Sequence, residues 1–104
     1  CLESESSVVV IGDVHHGARI IAKGNVVILG ELKGSVFAGA AGNQEAVVVA
    51  LDMAPVQIRI GDISSRIGEK GRRLGRGPMI AAVEDQAIRT RPMKKNFLNL
   101  LNFN

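Results

Sequence analysis

Segments of this chain repeat at a spacing of eighteen residues. Val8-Val9-Val10-Ile11-Gly12-Asp13-Val14 matches Val26-Val27-Ile28-Leu29-Gly30-Glu31-Leu32, and Ala22-Lys23-Gly24-Asn25 matches Ala40-Ala41-Gly42-Asn43. A third row, Val47-Val48-Val49-Ala50-Leu51-Asp52-Met53, starts 21 residues after the second, with Gln44-Glu45-Ala46 as the insertion. Applied backwards, the spacing sets Leu2 under Ile20, Ser4 under Ala22 and Ser6-Ser7 under Gly24-Asn25, so the chain is expected to start part-way round a coil. Eighteen residues make about three strands of six, each ended by a small or turn-forming residue, which is one coil of a triangular β-helix. Helices are disfavoured because the apolar runs are short, rich in β-branched residues and flanked by glycines at strand-length intervals.

In such a coil each residue stacks on its counterpart one turn later, about 4.8 Å away. Val8 over Val26 and Val10 over Ile28 are therefore expected to form aliphatic ladders. The composition agrees: 46% of the 104 residues are hydrophobic but only 3% are aromatic, so the core must be thin layers of Val, Ile, Leu and Ala. Gly12, Gly24, Asn25, Gly30, Gly42 and Asn43 are the expected corners, with positive φ at Gly24 and Gly42 and tolerated at the asparagines. The predicted class is all-β, a triangular β-helix of about three coils over residues 1–62. A flexible basic linker over 63–77 and capping strands with a tail over 78–104 complete it, the strand pair turning at Glu84-Asp85-Gln86. The end of the chain, with Phe97, Leu98, Leu100, Leu101 and Phe103, reads as a docked or disordered tail, a short helix or a membrane-touching tip.

Several functions find little support. A single cysteine, Cys1, cannot form an internal disulfide, and with no signal peptide or long apolar run the expected location is the cytoplasm. A start at Cys1 rather than Met points to a fragment. Residues 1–65 carry 4 basic and 7 acidic side chains, and 66–104 carry 9 basic and 3 acidic. This basic half lacks interleaved aromatics to stack on bases, so it reads as a solvated linker rather than a nucleic-acid site. His15 and His16 are adjacent and point to opposite faces of a strand, so no metal site is expected. The glycine-rich stretch 30–42 lacks the Gly-Lys-Ser/Thr ending of a phosphate loop, and Asp13, Glu31, Asp52 and Asp62 read as solvated corners, not a catalytic pair. No enzyme and no cofactor are expected. Alternate residues of Val8–Ile11 must point outward, which makes one outer face sticky and a homodimer its simplest use.

The series Gly12-Asp13-Val14, Gly17, Ala22-x-Gly24-Asn25-Val26-x-x-x-Gly30 and Lys33-Gly34-x-x-x-Ala38-Gly39-x-x-Gly42-Asn43 resembles the C-terminal domain of the MinC family. So do Pro55-x-Gln57-x-Arg59-Ile60 and Pro78-x-Ile80-Ala81-x-Val83-x-Asp85-x-Ala87-Ile88. The resemblance covers roughly residues 4 to 92. It implies a right-handed β-helix that homodimerises, is recruited to the membrane only indirectly through the ATPase MinD, and helps inhibit assembly of the division tubulin FtsZ. The family's MinD-contacting Arg-Ser-Gly-Gln motif belongs one coil before His15, ahead of Cys1. The equivalent corner of the next coil, His15, His16, Gly17 and Ala18, is the candidate for the same surface, and Lys33, Gly34 and Ser35 form a second corner. Some relatives carry a basic residue where Ser35 stands. The alternative is a bactofilin-like cytoskeletal β-helix that polymerises end to end. A hexapeptide-repeat acyltransferase would need more coils.

Overall fold

The computed structural model describes residues 2–66 and 77–92. The expected tail after Lys94 and most of the expected linker lie outside the described residues.

Among the described residues all regular structure is β. The strands are β1 (Leu2–Ser4), β2 (Val8–Ile11), β3 (Arg19–Ala22), β4 (Val26–Leu32), β5 (Ser35–Ala38), β6 (Val48–Met53), β7 (Gln57–Ile60), β8 (Ile63–Arg66), β9 (Met79–Glu84) and β10 (Ala87–Pro92). They form two five-stranded sheets, ordered β1-β3-β5-β7-β8 and β10-β9-β6-β4-β2. Pairing between coils is parallel, as winding in one sense requires. A third side is made where Val14 bridges Leu32 and Leu32 pairs with Met53. The result is a right-handed triangular β-helix of about three turns.

Alternation along each strand turns one set of side chains inward. Val8–Val26–Val48, Val10–Ile28–Ala50, Val14–Leu32–Met53 and Ile20–Val36–Ile58 stack into ladders, and all but the two members on β2 are buried. Every buried side chain of this core is apolar, so the interior is held by aliphatic packing and the backbone ladders alone.

The eighteen-residue register holds for Leu2 on Ile20 and for Val8 on Val26. It does not hold everywhere. Arg19 pairs with Ser35, sixteen residues on, because the corner before the strand shortens from four residues in the first coil to two in the second. The match of Ala22 to Ala40 therefore falls in the following turn, where the Ala40 amide donates to the Ala22 carbonyl at 3.0 Å. The third row also corrects the sequence alignment. Val26 pairs with Val48 rather than Val47, and the offset returns to 21 only at Glu31–Asp52, across a bulge between Ile28 and Glu31.

Two expected corner residues take other parts. Gly30 lies inside β4, at that bulge. Gly24 does not adopt positive φ, whereas Gly42 does, at 101°. Gly24 is needed for close approach instead: a Cβ there would lie 2.8 Å from the Ser7 backbone nitrogen of the coil below. Asn25 and Asn43 also keep negative φ and work through their amides. Asn25 Oδ1 accepts from the Val47 amide, and Ser7 Oγ accepts from the Asn25 amide, both at 2.9 Å, so the side chains satisfy backbone donors from coil to coil.

The last coil is closed by antiparallel strands. Residues 63–66, expected within the linker, form β8 and pair with β7, with Ile60 opposite Ile63. On the other sheet β9 pairs with β6, and β10 folds back on β9 through Asp85 and Gln86, both at positive φ as in a tight two-residue hairpin.

Candidate functional site

The two corners singled out in the sequence lie one above the other along a single edge of the prism. In the first coil His15, His16, Gly17 and Ala18 make a tight turn, with the Ala18 amide donating to the His15 carbonyl at 3.0 Å. Gly17 supplies the turn's positive φ of 86°. In the second coil the connection shrinks to Lys33 and Gly34. The Lys33 amide donates to the Val14 carbonyl at 2.7 Å and the Ser35 amide to the Ala18 carbonyl at 3.0 Å. Gly34 is required by this stacking, because a Cβ there would lie 2.6 Å from the His15 carbonyl oxygen and still nearer that of Ala18.

A third layer was not singled out in the sequence. Ala54, Pro55 and Val56 continue the same edge, and the Val56 amide donates to the Gly34 carbonyl at 3.0 Å. The signal was present in the aligned rows, since the Met53-to-Gln57 segment occupies the place of Leu32-to-Ser35.

His15 and His16 are exposed, and Lys33 forms a 3.2 Å ion pair with the neighbouring Glu31. Asp13 Oδ1 accepts from the Glu31 amide at 2.7 Å, so that carboxylate caps a backbone donor. Beside the first corner lies a shallow hollow of about 370 Å³, lined largely by Leu2, Val10, Val14 and Ile20, with Asp13 and His15 at its rim. Among the described residues no group of three or more His, Cys, Asp or Glu is placed to hold a metal ion. A surface of stacked backbone turns with exposed imidazoles can recognise another surface, but it holds no nucleophile beside a base.

The outer faces of the two sheets differ. On the β10-β9-β6-β4-β2 sheet the outward row Val9–Val27–Val49–Ile80 is aliphatic. Exposure along it falls from 50% at Val9 to 7% at Val27 and 0% at Val49, and Ile11 beside it is 85% exposed. The outward aliphatic row expected from the sequence lies on this face. On the other sheet Arg19, Ser35 and Gln57 form one outward row, and Ile21, Phe37 and Arg59 the next.

Fold and edge together define a short right-handed β-helix whose corner turns stack along one edge. The chain belongs to the family described as septum formation inhibitor MinC, C-terminal domain, whose model matches residues 1–93. A relative from Agathobacter rectalis, a probable septum site-determining protein MinC, is 45% identical over 94% of this chain and 44% of its own length. The corresponding protein of Aquifex aeolicus is 32% identical, over 96% of this chain and 51% of its own. The chain thus spans about half the length of these relatives. Among solved structures, a chain of the MinC:MinD cell division protein complex of Aquifex aeolicus superimposes with a TM-score of 0.82 at 32% identity, covering 97% of this chain and 84% of that one.

Proposed function

We propose that the chain is the assembly half of a cell-division inhibitor. It dimerises, binds MinD in the cytoplasm, reaches the membrane only through that partner, and so positions inhibition of FtsZ ring assembly. The observation that supports this best is the close superposition on a chain from a MinC:MinD complex, over nearly the whole of this chain. In this reading the MinD contact is the stacked edge His15, His16, Gly17 and Ala18 with Lys33, Gly34 and Ser35. Its backbone turns are already ordered by hydrogen bonds within and between coils, which lowers the ordering cost of binding, and they carry two exposed imidazoles.

The homodimer contact is assigned to the aliphatic outer face of the β10-β9-β6-β4-β2 sheet. Val9 and Ile11 are large, exposed and uncharged, and an isologous contact needs a patch that tolerates its own copy. Residues 1–62 act as the binding prism and the β9-β10 hairpin as its lid. Division inhibition requires no catalysis by this chain and no cofactor.

Titration with MinD and ATP tests the reading. Gly17→Val, which forces a β-branched side chain into a positive-φ turn, is expected to weaken MinD binding at least about tenfold while leaving the far-ultraviolet spectrum β-rich. MinD affinity unchanged by that substitution would remove the edge from the interface. An end-to-end filament, the bactofilin-like alternative, is disfavoured by the last coil, where β8 and β9 pair antiparallel on β7 and β6 and take up the edges a next coil would use.

A further inference from the structure

The row of Ile21, Phe37 and Arg59 is not explained by folding. Phe37 points outward from β5 and is only half-buried, an aromatic side chain on the outside of a prism whose interior is aliphatic. The Arg19 guanidinium sits over its ring, 5.8 Å from the centroid. On the other side Arg59, one coil on in the same row, has its Nε donating to the Gly61 carbonyl at 3.2 Å. That bond holds Arg59 beside a hollow of about 140 Å³ whose lining includes Phe37, Ala38 and Ala40. Lys23 and Lys33 are engaged with Glu5 and Glu31, but among the described residues neither Arg19 nor Arg59 forms an ion pair.

Register ties this patch to the corner edge. Arg19 directly follows Ala18 and pairs with Ser35, so its backbone belongs to the stacked corners while its side chain reaches the next row. We infer that the partner surface continues from the corners across the outer face of this sheet. There Phe37 between Arg19 and Arg59 anchors an acidic segment of the same partner, with an apolar side chain in the hollow and carboxylates on the two guanidiniums. This rests on the reading of the corner edge as the MinD contact. A half-buried aromatic flanked by arginines is the composition of an interface anchor, and guanidiniums held in place lose little freedom on pairing. A second copy of this chain is the poorer occupant, because the aliphatic face of the other sheet suits self-contact whereas this patch presents two unpaired cations.

The test is titration of the full-length protein with ATP-bound MinD at several salt concentrations, using the wild type, Gly17→Val, Phe37→Ala, Arg19→Glu, Arg59→Glu and Arg59→Lys. Arg59 is exposed, so its variants are expected to keep the wild-type melting temperature and to be read free of folding effects. The inference expects Phe37→Ala, Arg19→Glu and Arg59→Glu each to weaken binding about tenfold or more, and Arg59→Lys, which keeps the charge but loses the Nε hydrogen bond, to fall between wild type and Arg59→Glu. It also expects the wild type to lose affinity with added salt more steeply than Arg59→Glu. If Gly17→Val abolishes binding while Phe37→Ala and Arg59→Glu bind as wild type, the extension is wrong and the corner reading stands. Absence of MinD binding by the wild type would overturn both.

Discussion

Gly17 and Gly34 occupy stacked corners for different physical reasons. Gly17 supplies a left-handed turn with open space around it, whereas Gly34 has ordinary φ and no room. Gly34→Ala must push back the Ala18 or His15 carbonyl and strain the Ser35–Ala18 hydrogen bond. A loss of about 2 kcal/mol in urea denaturation is expected, and a loss below about 0.5 kcal/mol would contradict this account of the corner. At the hairpin, Gln86 holds φ of 64° without glycine's freedom. Gln86→Gly is expected to stabilise by about 1 kcal/mol, read by the same measurement. The sequence marked most of these glycines, but not their reasons. Whether a glycine relieves φ or makes room depends on which backbone lies one coil below, and at Gly24 and Asn25 that neighbour is Ser7.

The ladders were legible because spacing alone brings like residues together. Val8, Val26 and Val10, Ile28 stack as the repeat requires. What spacing could not divide was the insertion at 44–46: six residues enter the corner before β6, where 39–47 answers 23–25, and β4 then spends one extra residue in its bulge. The corner of β5 was obscured in the same way, since a four-residue turn and a two-residue turn serve equivalent places. Residues 63–66 escaped because Ser64-Ser65-Arg66 has no apolar alternation. As β8 they form the edge strand of a sheet. Ile28 lies at the centre of the middle layer and is fully buried. Ile28→Ala is expected to cost about 3–4 kcal/mol with a fall in melting temperature, whereas the same change at exposed Ile11 should cost under about 1 kcal/mol.

The prism has unlike sides. Antiparallel strands cover the last coil, one outer face is aliphatic, and the other carries Phe37 between arginines. In the proposed reading it assembles through its sides, each with a different occupant: a second copy at the aliphatic face, and MinD along the corner edge. Val9→Glu with Ile11→Glu is expected to give a folded monomer at tens of micromolar, because charge on an isologous patch meets its own copy. The two proposed uses were legible to different extents. Excess aliphatic residues suggested a self-contact but not its face; the resemblance suggested the corners, but only the register showed that they stack. Sedimentation of the chain with MinD and ATP tests this division of surfaces. The expected mass is that of two chains with two MinD molecules, falling to one chain per MinD when Val9 and Ile11 are replaced by glutamate. A chain that stays monomeric alone and gains no mass with MinD would contradict it.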